Sequence, residues 1–270
     1  MELLGKIALV TGGASGIGRA FARALAREGA DLAIADLDAD RLEQARAEIG
    51  AMYTRGRVVT VRVDVRKDES VKSMVADAIG DLGGIDVLVN AAGVLLAGEL
   101  GRISSRDWSW MLDTNLLGSV RACSAVSAHL TERGSCQIVN VVSYGGLVPR
   151  GGDSLAYDSG EAALAAFTRG LALTLAPKGV TVTLLCTGSE GPRPGQNTRF
   201  RGEPGLRGWL RRTDGGNDGS QGLEELEQLL LDALRNRRLL AAPEGDQRAL
   251  RAYWKELERE LARRPQPAVT

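Results

Sequence analysis

The chain has 270 residues, which is long for an average domain but usual for a single α/β domain, so we expect one compact domain. Its 34 basic and 34 acidic side chains cancel to a formal net charge of zero, which argues against nucleic acid or a membrane as a partner and favours a small molecule. The three cysteines form no CxxC pair, so we expect no metal site. No apolar run reaches the roughly 18 residues of a membrane span, and we expect a cytoplasmic location.

Short apolar runs alternate with longer segments of helical period along residues 6–186. The predicted strands are 6–11, 31–36, 57–64, 85–93, 136–143 and 180–186. The predicted helices between them are 17–29, 38–50, 68–82, 105–131 and 157–177. Strands that are apolar on both faces are typical of a parallel sheet with helices on both sides. We therefore predict an α/β protein with a Rossmann-like, doubly wound parallel sheet, in a single domain over residues 1–265.

The composition changes at residue 188. Residues 188–222 are rich in glycine, proline and charge and show no apolar period, which predicts a loop. A loop of this length is usually either a functional lid or disordered, and we expect a lid over the substrate. Helical period returns over 222–236 and 246–263, in a C-terminal helical part that spans 222–265. Residues 266–270 are expected to be a frayed tail.

The turn between the first strand and the first helix reads TGGASGIGRA, with glycines at 12, 16 and 18. Glycines at this spacing let the backbone approach a pyrophosphate whose charge is held by the helix N-terminus, although they also suit any tight turn. Asp36 ends the second strand, where a carboxylate can bind both ribose hydroxyls of NAD and repel the 2′-phosphate of NADP. The alternative role of Asp36 is that of a helix N-cap. The pattern favours NAD(H) over NADP(H).

Further motifs follow in order: Asp64 and Val65, NAAG at 90–93, TNLLG at 114–118, IVNVVS at 138–143, and a tyrosine 14 residues after Ser143. Together with TGGASGIG they resemble the short-chain dehydrogenase/reductase family over residues 5–188. The resemblance implies a set of cofactor contacts. These are Gly12, Ser15, Gly16, Ile17, Gly18, Asp36, Leu37, Asp64, Val65, Asn90, Ala91, Gly93, Tyr157, Glu161 and Gly188.

The same resemblance implies the chemistry. Tyr157 would be the general acid/base, Ser143 would hydrogen-bond the substrate oxygen, and Asn115 would hold a water in a proton relay, with Glu161 as a fourth catalytic position. The implied activity is an NAD-dependent interconversion of a secondary alcohol and a ketone. The implied substrate contacts are Leu95, Ser143, Tyr144 and Trp209. A homodimer or homotetramer is expected on the same ground.

Glu161 is a departure, because the family has a lysine four residues after the tyrosine, where it binds the nicotinamide ribose and favours tyrosinate. Residues four apart share one face of a helix, so Glu161 should lie close to Tyr157. Either the carboxylate opposes ionisation of the tyrosine, or a desolvated Glu161 takes up a proton and becomes a neutral donor. Two rival functions therefore stay open: a weakly active or inactive NAD-binding partner subunit or sensor, and a non-redox elimination or isomerisation.

Overall fold

The computed structural model describes residues 1–53, 56–187, 198–202 and 220–263. Its strands, in chain order, are β1 (Ile7–Thr11), β2 (Asp31–Asp36), β3 (Val58–Arg62), β4 (Val87–Asn90), β5 (Leu95–Gly98), β6 (Gln137–Val142), β7 (Thr181–Cys186), β8 (Thr198–Arg201) and β9 (Leu240–Ala241). Seven of these described strands form one sheet in the order β3-β2-β1-β4-β6-β7-β9, and β5 and β8 pair with each other in a second sheet. Every strand pairing found is parallel.

The helices lie on both faces of the large sheet. They are α1 (Gly16–Arg27), α2 (Ala39–Met52), α3 (Asp68–Leu82), α4 (Ser105–Leu112), α5 (Gly118–Arg133), α6 (Leu155–Leu175), α7 (Ser220–Asn236) and α8 (Glu244–Arg263). A π-helical turn, Asp113–Leu117, joins α4 to α5. This arrangement confirms the predicted Rossmann-like, doubly wound α/β fold.

Two apolar layers hold the sheet. On one face, Phe21 of α1 and Leu230 of α7 belong to a buried cluster with the strand residues Val10 and Ile34. On the other face, Met74 of α3 packs with residues of α5 and with alternate strand residues. Because both faces of each central strand are covered, the strands carry the near-continuous apolar runs seen in the sequence.

The order of the strands creates the place for a site. The chain steps outward from β1 through β2 to β3, returns to β4, and then steps outward in the other direction through β6 to β7. In such sheets the carboxyl ends of the two central strands flank a crevice, because their following loops diverge to opposite faces. The predicted functional residues follow the carboxyl ends of β1, β2, β4 and β6.

The structure corrects the sequence-based elements in three places. The helix predicted over 105–131 is interrupted by the π-helical turn, and the strand predicted over 85–93 ends at Asn90. Within the predicted loop 188–222, residues Thr198–Arg201 form β8, because β5 offers them a partner that no local pattern could reveal. The other parts of the predicted lid, 188–197 and 203–219, lie outside the described residues.

The described residues contain no helix that combines the length and hydropathy needed to cross a bilayer. All three cysteines are free thiols in buried positions. Within the same residues, no group of three or more His, Cys, Asp or Glu side chains is arranged to hold a metal ion.

Candidate active site

The glycine-rich turn between β1 and α1 is shaped by two close approaches. Gly12 has a φ of +68°, and a Cβ there would lie 2.8 Å from backbone atoms of Ala92. A Cβ on Gly18 would lie 2.2 Å from the carbonyl oxygen of Gly12. Any larger residue at either position would force these backbones apart. The glycines therefore set the strand-to-helix turn and bring it against the loop that follows β4.

The N-terminus of α1 is open in front of this turn. Gly16 is exposed and a Cβ there would meet no atom within 4 Å, while Ile17 behind it packs against the core. Ser15 precedes the helix, and within the described chain its side chain caps none of the first helical amides. Free amides at a helix N-terminus attract a negatively charged group. The turn thus offers backbone donors to an anion such as a pyrophosphate.

Asp36 ends β2 beside the same turn. Its carboxylate accepts hydrogen bonds from the backbone nitrogens of Ala14 at 3.3 Å and Leu37 at 2.7 Å. Leu37 itself is half exposed, which gives an apolar surface next to the carboxylate. A helix N-cap role for Asp36 is wrong, because the residue that caps α2 is Asp38, whose side chain accepts from the backbone nitrogen of Arg41.

Asp64 is already held by a cation. Arg66 donates to both carboxylate oxygens, from Nε at 2.8 Å and from Nη2 at 2.8 Å. This hydrogen-bonded ion pair lowers the pKa of the Asp64 carboxyl. Val65 is half-buried and its carbonyl accepts from Arg121 at 3.3 Å. A ligand that reached Asp64 would have to share its carboxylate with Arg66.

The NAAG segment closes the floor of the crevice. The backbone nitrogens of Ala91 and Ala92 both donate to the hydroxyl of Thr11 at 3.3 Å, which joins this segment to β1. The Asn90 side chain points inward, where it donates to Oδ1 of Asn140 at 2.8 Å and is 3% exposed. Asn90 therefore ties β4 to β6, and its side chain does not face the crevice. Gly93 is exposed beside Asn115.

Asn115 lies in the π-helical turn. Its Oδ1 accepts from the backbone nitrogen of Val94 at 2.8 Å, and its Nδ2 donates to the carbonyl of Val94 at 2.9 Å. The same Nδ2 donates to Oε1 of Glu161 at 3.1 Å. Single π turns in helices are frequent at functional sites because they redirect a side chain. Here the turn aims Asn115 at the strand ends and at α6.

Ser143 and Tyr157 come together although 14 residues separate them. Ser143 follows β6 directly, and Tyr157 lies in the first turn of α6, half-buried. The hydroxyl of Ser143 lies close enough to the phenol to lower the pKa of Tyr157. Two short 3-10 turns, Tyr144–Gly146 and Gly152–Ser154, take up the chain between them. The structure thus brings the two predicted hydroxyls near each other.

Glu161 is buried next to Ser143, and only 4% of the residue is exposed. Its Oε2 accepts from the backbone nitrogen of Ser143 at 2.6 Å and its Oε1 accepts from Asn115. A Cβ on Gly146 would lie 2.6 Å from Cβ of Glu161, so glycine lets the loop rest on α6. One carboxyl group therefore connects the end of β6 to the π-helical turn.

The two ionisable groups of this cluster are both shifted. Burial raises the pKa of the Glu161 carboxyl to about 7, although the hydrogen bonds from Ser143 and Asn115 oppose the rise. Burial raises the pKa of the Tyr157 phenol well above its ordinary value, and the charge of Glu161 raises it further. At neutral pH Tyr157 is a phenol, and Glu161 is distributed between acid and carboxylate.

Sequence analysis missed a second buried acid next to Tyr157. Asp158 accepts from Nη2 of Arg150 at 2.6 Å and from the hydroxyl of Ser154 at 2.7 Å. A Cβ on Gly145 would lie 2.0 Å from Oδ1 of Asp158, so this loop too needs glycine. The charge of Arg150 lowers the pKa of Tyr157 and so opposes Glu161. The paired glycines after Ser143 were the only sequence signal of this close packing.

The substrate contacts implied by the sequence are only partly described. Leu95 begins β5 and Tyr144 follows Ser143, and both are half-buried near the strand ends. Tyr144 packs against the apolar cluster that contains Val142 and Leu164. Trp209 and Gly188, predicted as substrate and cofactor contacts, lie outside the described residues.

Comparison with known proteins identifies the family. The family model described as short chain dehydrogenase matches residues 6–193. The chain belongs to the short chain dehydrogenase family. Its fold is therefore that of an oxidoreductase family, as the motifs predicted.

Named relatives and solved structures agree. The chain is 36% identical over 189 residues to the (2S)-[(R)-hydroxy(phenyl)methyl]succinyl-CoA dehydrogenase subunit BbsD of Thauera aromatica, covering 70% of this chain and 74% of that one. It is 36% identical over 186 residues to the 2,3-dihydro-2,3-dihydroxybenzoate dehydrogenase of Bacillus subtilis, covering 68% and 70%. A short chain dehydrogenase/reductase from Burkholderia phymatum in complex with NAD superposes with a TM-score of 0.84 at 26% identity, covering 100% and 99%.

Proposed function

We propose that the chain is an NAD-dependent oxidoreductase that interconverts a secondary alcohol and a ketone. The observation that carries the proposal is the nearness of the Ser143 hydroxyl to the Tyr157 phenol at the end of β6, in a chain that also has an uncapped N-terminus of α1. The family membership and the dehydrogenase relatives support the reaction type. The small-molecule alcohol or ketone is the proposed partner.

The described residues fit a nicotinamide dinucleotide. The amides that start α1, the carboxylate of Asp36 and the exposed Leu37 supply donors for a pyrophosphate, acceptors for a ribose and an apolar surface for a flat base. When bound, the nicotinamide accepts or supplies the hydride. Asp36 favours NAD over NADP, because a carboxylate repels a 2′-phosphate. The solved relative in complex with NAD supports this choice.

Tyr157 and Ser143 divide the remaining work. Ser143 donates to or accepts from the substrate oxygen, and Tyr157 supplies the proton when a ketone is reduced and removes it when an alcohol is oxidised. A phenol with a raised pKa carries its proton at neutral pH, although it is a weaker acid, and its conjugate base is scarce there. We therefore expect alcohol oxidation to need alkaline conditions, while ketone reduction, which uses the protonated phenol, proceeds near neutral pH.

Glu161 stands in the position of the family's lysine, and we assign it to positioning. Both carboxylate oxygens are used inside the protein, by the Ser143 backbone and by Asn115. These contacts fix the residue that carries the catalytic hydroxyl and the residue that would hold a relay water. The neutral-donor role toward the ribose requires Glu161 to leave both partners, so the inward position speaks against it.

The first experiment is a titration of the full chain with NAD(H), followed by a screen of secondary alcohols and ketones between pH 6 and pH 10. Binding of NADH with reduction of at least one ketone, lost in Tyr157→Phe, supports the proposal. Binding without turnover of any compound, at any pH, would replace it by the second candidate.

That second candidate is a weakly active or inactive NAD-binding partner subunit or sensor. It is favoured by one observation: a buried acid, where the family has a cation, raises the pKa of the proposed catalytic tyrosine. The glycine turn and Asp36 lie on other elements than this acid, so cofactor binding and catalysis can be tested separately.

We also propose that the chain is a cytoplasmic homodimer or homotetramer. Leu173 of α6 is 80% exposed and Leu155 of the same helix is 40% exposed, and a partner subunit packed along this helix would cover both. Sedimentation equilibrium of the intact chain and of Leu173→Glu checks this. A monomeric intact chain would refute it.

A further inference from the structure

A cleft of about 570 Å³ opens at the far end of the small β5–β8 sheet. It is lined by Arg102, Ser104, Arg106, Asp107, Arg199 and Arg201. Four of the six lining residues are cationic and one is anionic, in a chain whose formal net charge is zero. Such a concentration of guanidinium groups around a concave surface attracts negative charge.

The arginines converge for structural reasons. Arg199 and Arg201 alternate with Phe200 on β8, so their side chains leave the same face of the small sheet. Arg106 comes from the first turn of α4, which starts beside that face. The three cations are thus placed by two elements that are fixed to each other by the pairing of β8 with β5 and by the contact of α4 with β5.

One of the cations is committed to the fold. Arg201 donates to both oxygens of the buried Asp107, at 2.9 and 2.7 Å, and to the carbonyl of Phe200 at 3.2 Å. Asp107 in turn forms the capping box of α4 with Ser104. The single acid of the cleft is therefore neutralised before any ligand binds.

Arg102 pairs with Glu99 at 3.0 Å, which leaves Arg106 and Arg199. Arg199 lies over the ring of Trp110, 3.7 Å from its centroid, and its Nη1 forms a longer ion pair of 3.6 Å with Asp107, whose two oxygens Arg201 already binds. Stacking holds the guanidinium plane and leaves its edge open to further hydrogen bonds. Arg106 is exposed, and it pairs with no acid in the part of the chain that the structure describes. Arg199, which is held by stacking, and Arg106 line the same cleft. Two guanidinium groups placed in this way fit the oxygens of a phosphate group.

We propose that this cleft is a binding site for a phosphate group, either free or carried by the substrate. Gly98 pairs with Arg201 at the cleft end of β5, and Leu95, three residues earlier, follows Val94, whose backbone nitrogen donates to Asn115. Three residues of extended strand span about 10 Å. A substrate that carried a phosphate at that distance from its reacting carbon would reach both places. The site itself stands on the cleft and does not depend on the proposed reaction.

Calorimetric titration of the intact chain with inorganic phosphate tests the site, with Arg106→Ala/Arg199→Ala as the variant. Arg201 is left in place because its removal would leave the buried Asp107 unpaired. The matched control is Arg248→Ala/Arg251→Ala, which removes two exposed arginines from α8. Binding that weakens at least tenfold in the cleft variant and is unchanged in the control supports the site. Absent binding, or equal weakening in both variants, overturns it.

A second arm separates the two sources of the phosphate. Ketones with and without a terminal phosphate ester are compared in the intact chain and in the cleft variant. A preference for the phosphate esters in kcat/KM that the variant loses assigns the site to the substrate. Phosphate binding that depends on the cleft, with no such preference, assigns it to a free anion. Because the titration involves no turnover, its result is independent of whether the chain is an active oxidoreductase.

Discussion

The cofactor end and the chemical end of the crevice are both built from a strand that leads into a helix. They differ in the side chains that lie behind this connection. At the cofactor end, β1, α1 and β2 present uncapped backbone amides and the half-buried carboxylate of Asp36, which backbone amides hold in place. At the chemical end, β6 and α6 enclose a buried acid, Glu161, whose oxygens are both occupied by the protein. A binding function can thus persist at one end while a single side chain changes the proton chemistry at the other.

The largest expected effect separates the two ends directly. Tyr157→Phe should lower ketone reduction by about 10²- to 10⁴-fold, because the proton donor is removed, and leave NADH affinity unchanged. Steady-state kinetics and a fluorescence titration of NADH measure the two quantities. A variant that keeps its activity would show that another group transfers the proton and that the Ser143–Tyr157 pair is structural.

The next effect is on stability, and it arises from Glu161 alone. Its carboxyl has a pKa of about 7 in the folded chain against an ordinary value of 4.5, so the folded state holds the proton more tightly than the unfolded state. Stability from this group is fully present below pH 4.5 and is lost as the pH rises through about 7. At 1.36 kcal/mol per unit, the loss amounts to about 3 kcal/mol.

Urea unfolding between pH 4.5 and pH 8 measures this loss, with Glu161→Gln as the comparison. The amide does not titrate, so the free energy of unfolding of the variant should fall less over the same range. If the free energy of unfolding fell equally with pH in both proteins, the Glu161 carboxyl would not be desolvated. The contrast drawn between the cofactor end and the chemical end would then be wrong.

The third effect concerns the choice between NAD and NADP at the cofactor end. NAD should bind at least about tenfold more tightly than NADP, since one decade needs only about 1.4 kcal/mol of repulsion between Asp36 and a 2′-phosphate. Asp36→Asn should reduce the difference in affinity between NAD and NADP. Arg62 of β3 is a cation close to Asp36 in the fold, because its Nε donates to the carbonyl of Leu37 at 3.4 Å. Calorimetry of the intact chain, Asp36→Asn and Arg62→Ala with each cofactor separates the two charges, and tighter binding of NADP by the intact chain would contradict the assignment.

The smallest effect concerns the pH profile of alcohol oxidation at the chemical end. Glu161→Gln removes the negative charge that raises the pKa of Tyr157, so the alkaline limb of alcohol oxidation should move to lower pH. Near neutral pH the rate should rise roughly threefold or more, which corresponds to about 0.7 kcal/mol. The amide keeps an acceptor for the Ser143 backbone, and Asn115→Ala serves as a control that removes the other contact. A limb that moves to higher pH would show that the carboxylate assists catalysis.

The cofactor end could be predicted closely from the sequence because its determinants are local. Glycines at 12 and 18 are required by backbone contacts within one turn, and Asp36 is placed by the end of a strand whose apolar run is plain. The site at the chemical end joins residues that are distant in the chain. Ser143 and Tyr157 were predicted as a pair from the family resemblance, and in the structure the Ser143 hydroxyl lies near enough to the phenol to lower its pKa.

Other features had no local signature. The pairing of β8 with β5 joins residues about a hundred positions apart, so the arginines of the phosphate cleft appeared in the sequence only as a charged loop. The buried Asp158 with Arg150 likewise depends on the fold of the loop after Ser143. Long-range pairings of this kind are decided by packing, which single-sequence patterns do not record.

The sequence by itself determined the alternation of strands and helices and the glycine turn, because hydrophobic period and steric demand act over a few residues. Only the tertiary structure decided the surroundings of Glu161. The sequence placed it one turn from Tyr157, but whether a carboxyl at that place meets solvent, a ligand or the protein depends on what surrounds it. Here the Ser143 backbone and Asn115 surround it, and burial raises its pKa while these two donors oppose the rise.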